Sequence, residues 1–196
     1  MDLRVLEYVP FAYAGLYAIR EYFPFDYETN TKVSSLLTSA SLAIWSQIGS
    51  IVLAQRALLA YILADSALKA MNHGFIAWDI ALHHGLTVAL VYSTQNRPES
   101  YHLIQKLMLM EITTPFLYCS IIMRNLKIQK TLMFASFGAA LALWPYCRLY
   151  VPFSVSLEAF HYDTLGASAT AGLFCLQVYW YCLLWANVYK MLRKNK

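Results

Sequence analysis

Charged residues are scarce in this sequence. Asp, Glu, Lys and Arg make up 13% of its 196 residues, whereas apolar residues make up 59%. In soluble globular domains about a quarter of the residues are charged and roughly half are apolar. The shortage of charge therefore argues against a soluble domain and predicts that lipid surrounds most of the fold.

Cysteine and histidine are too few or too dispersed to indicate metal chemistry. The four cysteines show no CxxC spacing and lie in apolar stretches, so we interpret them as packing residues. The five histidines are fewer than a membrane di-iron desaturase or hydroxylase needs, and we therefore predict no metal site. The net charge of +4 comes without a basic run interleaved with aromatic residues, which argues against a nucleic-acid partner.

The chain is rich instead in long apolar runs. A helix that crosses a bilayer needs about 20 mostly apolar residues. Residues 33–55 and 164–189 meet this length without a charged residue. Residues 131–153 meet it with Arg148 near one end, from where the side chain can snorkel to the interface. Three further apolar runs each hold ionisable residues: residues 57–71, 74–92 and 106–123.

These runs predict an all-α fold, a polytopic transmembrane helix bundle with six core spans within residues 30–190. The apolar stretch at residues 8–19 is short. We therefore expect residues 1–29 to form a short N-terminal helix, which either crosses the membrane tilted, the alternative we favour, or lies at the interface. Small residues recur in residues 34–50 and 166–172, which favours close helix packing.

Basic residues are unevenly distributed between the loops and predict the orientation. Residues 191–196 and the loop 124–130 are basic, whereas the loop 152–163 has no Lys or Arg. Because Lys and Arg are enriched in cytosolic loops, we expect a cytosolic tail and a lumenal loop 152–163. Arg193 and Lys194 are similar to a weak dilysine-type retrieval signal, which indicates the endoplasmic reticulum or another endomembrane. A plain basic membrane anchor is the alternative.

Ionisable groups inside the apolar runs are the most informative feature for function. In the run "FIAWDIALHHGLTVAL", Asp79 and His83 are four residues apart, so both lie on one helix face, where the carboxylate can orient the imidazole. His84 points about 100° away from His83. Asp65 and Lys69 repeat this spacing in the neighbouring run, which predicts that they neutralise each other.

The cost of burying charge limits where these groups can lie. A charged side chain near the centre of a membrane helix costs at least about 2.5–3.5 kcal/mol, so Asp65, Asp79 and Glu111 must face one another or a polar cavity. Two interpretations fit. Either the polar groups only join helices through interhelical hydrogen bonds, or a carboxylate-oriented histidine acts as a general base or nucleophile on a lipid substrate. The spacing alone leaves both open.

Four stretches share residues, order and spacing with one known family. They are "NTKVSSLLTSA" (residues 30–40), "YILADSALKAM" (61–71), "WDIALHHGLT" (78–87) and "LMEITTPFLYCS" (109–120). Together they resemble the TLC domain family of six-span membrane proteins, which includes the ceramide synthases. The last stretch is most similar to the TLC-domain-only branch of that family.

The resemblance implies functional residues. The histidine pair corresponds to the acyl-transfer histidines of the ceramide synthases, so His83 and His84 would transfer an acyl group and Asp79 would orient them. Glu111 stands where the family has the first residue of an acidic pair, and Thr114 stands where it has the second. The residues expected around the lipid are Asp65, Lys69, Thr87, Thr113 and Thr114.

The resemblance and the buried polar groups together predict an integral membrane protein of lipid metabolism that binds an acyl chain or lipid in a helix-bundle cavity. If the protein is an enzyme, acyl-CoA is the expected donor, bound as a co-substrate rather than as a tight cofactor. The departure at Thr114 keeps a second hypothesis open, a non-catalytic regulator that senses lipids and sets membrane composition. A cargo receptor, or a subunit that associates with other membrane proteins or with further copies of itself, is the third.

Overall fold

The computed structural model describes residues 5–73, 76–94 and 97–194, and the regular structure of these residues is entirely helical. The predicted all-α fold is therefore confirmed. The predicted start of one span at residue 74 and the end of the basic tail lie outside the described residues.

In chain order the helices are α1 (Val5–Tyr22), α2 (Tyr27–Ile48), α3 (Ile51–His73), α4 (Trp78–Thr94), α5 (Tyr101–Leu107), α6 (Thr113–Asn125), α7 (Lys130–Trp144), α8 (Val151–Ala159) and α9 (Thr164–Lys194). A 3-10 turn at Met108–Ile112 joins α5 to α6, and a π-helical turn at Pro145–Tyr150 joins α7 to α8.

Four helical units in the described residues are long and apolar enough to cross a membrane: Ile51–Asn72, Pro98–Asn125, Lys130–Ala159 and Thr164–Lys190. They coincide with four of the six predicted spans. The other two predicted spans correspond to α2, which is rich in hydroxyl side chains, and to α4, which has 17 residues. The count of six spans therefore stays a prediction.

The prediction that residues 33–55 form a single span is wrong. α2 ends at Ile48 and α3 begins at Ile51, and the N–H of Gly49 donates to the carbonyl of Trp45 at 2.8 Å. A Cβ on Gly49 would lie 2.9 Å from that carbonyl oxygen, so a residue with a side chain does not fit this turn. Hydropathy does not register such a break, because the residues on both sides of it are apolar.

Both irregular turns are explained by prolines. Pro115 lies four residues after Glu111, and Pro152 lies four residues after Arg148. A proline has no N–H to donate, and its ring clashes with the carbonyl four residues earlier, so the regular α-helical ladder is interrupted there. Such 3-10 and π-helical interruptions are frequent at functional sites. Two of the ionisable groups inside the bundle therefore lie where the backbone is already irregular.

The predicted N-terminal helix is α1, which packs against α3 and α2 and extends beyond residues 8–19 at both ends. The turn from α1 to α2 is held by Asn30, which is 1% exposed. The Nδ2 amide of Asn30 donates to the carbonyl oxygens of Arg20, Phe23 and Phe25, each at 3.0 Å. One buried amide thus shares its two N–H groups among carbonyl oxygens at the end of α1 and in the turn that follows it.

Asp26 caps the N-terminus of α2. Its carboxylate accepts hydrogen bonds from the hydroxyl of Thr29 at 2.7 Å and from the N–H of Thr29 at 3.0 Å. These bonds, the hydroxyl bond most, lower the pKa of the Asp26 carboxyl below its ordinary value. The amide of Asn125 donates to the same Thr29 hydroxyl at 3.1 Å, which ties the end of α6 to this cap.

Replacing Asn30 by alanine should lower the free energy of unfolding by about 1–3 kcal/mol, because buried carbonyl groups lose their donor. Unfolding of the purified protein in mild detergent, followed by circular dichroism, measures the change. Asn125→Ala is the matched control, since it removes a single hydrogen bond and should cost about 0.5–1.5 kcal/mol. A loss for Asn30→Ala no larger than that of the control would contradict the role of Asn30 in the turn.

α4 and α9 are in close contact at Gly172. A Cβ on Gly172 would lie 2.9 Å from a methyl carbon of Leu86, so a larger residue would require the Leu86 side chain to shift. Small residues at helix interfaces allow this kind of approach, which agrees with the packing expected for residues 166–172. The contact sets the polar residues of α4 against Trp180 of α9.

Candidate functional site

The helices enclose a polar cavity of about 110 Å³. Its wall takes residues from α2, α3, α4, α6 and α9 and from both irregular turns. A volume of this size holds several water molecules but is smaller than the roughly 300–1,000 Å³ of pockets for drug-sized ligands. The cavity therefore suits the reacting end of a lipid rather than a whole lipid. The charged and imidazole residues in its wall are Asp65, Lys69, His83, His84, Glu111 and Arg148.

Asp65 is the centre of a buried ionic cluster. Its side chain is 0% exposed, and one carboxylate oxygen accepts a hydrogen bond from the guanidinium of Arg20 on α1. The other oxygen accepts a hydrogen bond from Lys69 Nζ at 2.6 Å, so the predicted pairing of Asp65 with Lys69 is confirmed. Two cations therefore share one carboxylate inside the bundle, which joins α1 to α3.

The two histidines have different surroundings. His84 is buried; its Nδ1 lies 2.7 Å from the hydroxyl of Ser66, and its Nε2 lies 3.7 Å from a carboxylate oxygen of Asp65. The ring of His83 packs against Trp180 with 5.5 Å between ring centroids, and its Nδ1 has no hydrogen-bond partner among the described residues. Both nitrogens of His84 thus face protein groups, whereas Nδ1 of His83 is buried without a partner and the His83 side chain lines the polar cavity.

The hydrogen bonds of Asp79 differ from those that the helical spacing predicts. One carboxylate oxygen accepts from the indole N–H of Trp180 at 2.8 Å, and the other accepts from the N–H of Ile80 at 3.0 Å. The expected bond to His83 is replaced by this cross-helix bond to α9. The carboxylate that lies next to His84 is that of Asp65, on the neighbouring helix α3.

Arg148 is buried inside the bundle, so the prediction that it snorkels to the interface is wrong. Its Nε and Nη2 donate to the hydroxyls of Thr113 and Thr114, and its Nη1 donates to Oε1 of Gln177 at 3.0 Å. The guanidinium carbon lies 4.7 Å from the ring centroid of Trp144. The irregular turn around Arg148 thus directs a cation inward, where it joins α6, α7 and α9.

Glu111 is connected to Arg148 through Thr114, whose hydroxyl accepts from Arg148 and donates to a carboxylate oxygen of Glu111 at 3.2 Å. Glu111 also lines a smaller cavity of about 50 Å³, together with Thr87. Thr113 holds Arg148 but does not line either of these cavities. The sequence-predicted site residues are thus brought together, apart from Asp79 and Thr113, which lie behind the cavity wall.

Two larger cavities share residues with the polar cavity. One, of about 250 Å³, runs along α9 and shares Arg148 with it. The other, of about 480 Å³, shares Lys69 and is lined by Glu28 and Lys32 near the start of α2. Both neighbouring cavities thus combine mainly apolar walls with charged residues, an arrangement that suits an amphiphilic molecule.

Sequence reasoning missed Arg20, Tyr61 and Trp180 as parts of the site. Arg20 carries the same signal as Asp65, a charge next to apolar residues, but it lies in a segment that hydropathy does not mark as a clear span. Tyr61 and Trp180 carry no charge, and aromatic residues are too common in this chain to single them out.

As for a metal, no three His, Cys, Asp or Glu side chains within residues 5–73, 76–94 and 97–194 are close enough to hold an ion.

The comparison with known families agrees with this arrangement. The family model described as TLC domain matches residues 4–189, which is nearly the whole chain and includes α1. The chain belongs to the TLC domain family. The suspected resemblance is thereby confirmed, and the apolar helices make this TLC-domain protein an integral membrane protein. No curated protein and no solved structure matches the chain.

Proposed function

We propose that this TLC-domain protein spans an endomembrane six times and acts in lipid metabolism, transferring acyl groups through its histidine pair. One observation carries the proposal: His83, His84, Asp65 and Glu111 meet around a single polar cavity between apolar helices. Ionisable groups inside a membrane protein are costly and mark functional sites by default. Their convergence on one cavity favours chemistry over independent helix-to-helix hydrogen bonds.

The surroundings of the two histidines support His83 as the nucleophile. A ring nitrogen of His83 attacks the carbonyl carbon of an acyl thioester, the C–S bond breaks, and Glu111 gives its proton to the leaving thiolate. The hydroxyl or amine of an acceptor lipid then attacks the acyl-imidazolium. That step frees the imidazole and returns a proton to Glu111, so the enzyme is restored. His84, placed between Asp65 and Ser66, positions the pair.

The cavities beside the site support an acyl-CoA donor. The cavity lined by Lys32 and Lys69 has two cations against the one carboxylate of Glu28, which suits the phosphate groups of such a donor. The leucines of the cavity along α9 suit an acyl chain. The basic tail predicts that α2 starts on the cytosolic side, where acyl-CoA is available. In this proposal acyl-CoA is a co-substrate that enters and leaves in each turnover.

The double variant His83→Ala/His84→Ala tests the proposal. The purified protein in nanodiscs should incorporate label from radiolabelled palmitoyl-CoA into copurified or added lipid, and the double variant should abolish the incorporation. His102→Ala/His161→Ala is the matched control, because both histidines lie towards the loops and outside the described cavities. Incorporation that is unchanged in the cavity double variant would remove the catalytic role.

A non-catalytic lipid sensor is the second candidate. It is favoured by the observation that both oxygens of Asp65 are bonded to cations and both nitrogens of His84 face protein groups. Such a network can serve to hold helices together around a bound lipid. A sensor copurifies with a defined lipid and turns over no acyl donor, so mass spectrometry of the copurified lipid together with the label assay separates the two functions.

A further inference from the structure

Two hydrogen-bond donors without acceptors lie beside Arg148, which lines the 250 Å³ cavity along α9. They belong to Trp144, which also lines this cavity, and to Gln177, which is hydrogen-bonded to Arg148. Trp144 is 2% exposed and Gln177 is 0% exposed, yet the indole N–H and the amide Nε2 of these residues have no partner among the described residues. Arg148 adds further capacity, because a guanidinium has five N–H donors and three hydrogen bonds are present. We refer to this cavity, with Arg148 and Trp144 in its wall, as the Arg148 slot.

The unpaired groups of Trp144 and Gln177 can only donate hydrogen bonds. Arg148 cannot accept a hydrogen bond, so Gln177 must present its carbonyl oxygen to the guanidinium, and its NH₂ is left over. An indole nitrogen donates only. Buried polar groups in proteins are almost always paired. The donors beside Arg148 therefore match a group rich in acceptor oxygens.

The charge of Arg148 also favours an anionic ligand with acceptor oxygens. Its hydrogen bonds go to uncharged partners, two threonine hydroxyls and one amide, and no carboxylate lies within ion-pair distance of it in the described part of the chain. Glu111 is reached only through Thr114. A buried cation requires a counter-charge, and one N–H remains on each terminal nitrogen of the guanidinium. Two such donors match the two oxygens of a carboxylate.

The rest of the slot suits an alkyl chain. Its walls include Leu117, Leu183 and Leu184, and its volume is below the roughly 300–1,000 Å³ of pockets that enclose a drug-sized ligand. The slot therefore has room for the head and upper chain of a single-chain lipid. The remainder of the chain would extend along α9.

We propose that the Arg148 slot binds the carboxylate of a free long-chain fatty acid, whose oxygens accept hydrogen bonds from Arg148 and Trp144 while its chain lies along Leu117, Leu183 and Leu184. This rests on the proposed lipid-binding function, but it does not depend on acyl transfer. It names an anionic single-chain lipid as a ligand of the protein and Arg148 as its recognition residue. The slot shares Trp180 with the histidine site, so the acid binds next to the reacting groups.

Binding of tritiated palmitate to the protein in phosphatidylcholine nanodiscs tests the proposal. Palmitate should bind, and methyl palmitate, which has the same chain but no charge, should compete at least about tenfold more weakly, because hydrogen bonds to a charged group are the strong ones. Equal competition by methyl palmitate overturns the assignment. Stronger competition by palmitoyl lysophosphatidic acid than by palmitate also overturns it, in favour of a phosphate ligand.

Trp144→Phe is the decisive variant, because it removes the indole N–H and keeps an aromatic face under the guanidinium. We expect about tenfold weaker palmitate binding, as for the loss of one hydrogen bond to a charged group. Trp45→Phe is the matched control, since Trp45 is 52% exposed and lies outside the polar cavity and the Arg148 slot. This variant should bind palmitate as tightly as the unmodified protein. Unchanged palmitate binding in Trp144→Phe overturns the proposal.

The His83→Ala/His84→Ala variant separates this inference from the proposed function. If acyl transfer is abolished there and palmitate binding persists, both proposals stand. If transfer is absent from every form of the protein while palmitate binding still falls about tenfold in Trp144→Phe, the proposed enzyme fails and the Arg148 slot stands.

Discussion

Asp65→Asn is expected to lower the free energy of unfolding by about 3–5 kcal/mol, because removing one partner of a buried ion pair leaves an uncompensated charge. Arg20 is 2% exposed, and its Nε and Nη1 have no partner among the described residues, so Asp65 is its main compensation. Lys69 loses its partner as well, but its side chain is 25% exposed and can turn outward. Unfolding in detergent, followed by circular dichroism, measures the loss.

Glu158→Gln is the matched control for Asp65→Asn. Glu158 also faces two partners, His102 and Lys106, each at 2.7 Å, but the three side chains are 35–49% exposed. Exposed ion pairs contribute about 0–1 kcal/mol because water screens them. A stability loss for Asp65→Asn as small as that for Glu158→Gln would contradict the burial of this ionic cluster between α1 and α3. It would show that water screens the charges around Asp65.

A second variant separates the buried charge from a general packing defect. Arg20→Gln combined with Asp65→Asn removes the cation that the single variant leaves unpaired, so the double variant should recover part of the lost stability. The expected interaction energy is about 0.5–3 kcal/mol in the favourable direction, which is typical of residues in one ionic network. Additive losses in the two single variants would instead indicate that each residue acts through its own contacts.

His83→Ala is expected to reduce acyl transfer on the order of 10³-fold or more, the scale of losing a nucleophile or general base. His84→Ala should cause a smaller loss, because both nitrogens of His84 face Ser66 and Asp65 and its proposed part is to position His83. Single-turnover transfer from labelled palmitoyl-CoA, with and without an acceptor lipid, measures both rates. His161→Ala, in the turn after α8, serves as the control and should leave the rates unchanged.

A covalent intermediate gives a second readout of the same assignment. Without an acceptor, the label should stay on the protein in a hydroxylamine-sensitive bond, be absent in His83→Ala, and form slowly in His84→Ala. Label that persists in His83→Ala and disappears in His84→Ala would reverse the roles of the two histidines. Label in neither the unmodified protein nor any variant would leave lipid sensing as the better function.

The position of the candidate site could be predicted from the sequence in part. Ionisable residues inside apolar runs are a local signal, and they identified His83, His84, Asp65 and Glu111, which the structure brings to one cavity. The pair Asp65 and Lys69 could be predicted for the same reason, because a spacing of four on one helix fixes the distance between two side chains.

The partners across helices could not be predicted in this way. Asp79 lies four residues before His83, yet its carboxylate is bonded to Trp180, which is 101 residues further along the chain. Arg148 lies near the end of an apolar run, a position that favours snorkelling, but the π-helical turn directs it to Thr113, Thr114 and Gln177. Both outcomes depend on which helices are neighbours and how they are rotated.

The amino-acid sequence by itself determined that lipid surrounds the fold, that the fold is helical, and that the protein resembles the TLC domain family. Hydropathy, residue spacing and motifs are properties of the chain alone. Only the tertiary structure decided that Asp65 rather than Asp79 lies next to His84, that Arg148 is buried, and that the unpaired donors of Trp144 and Gln177 lie beside it. The physical reason is that a hydrogen bond requires two groups to be within about 3 Å of each other. For groups on different helices, that distance is set by the packing of the whole bundle.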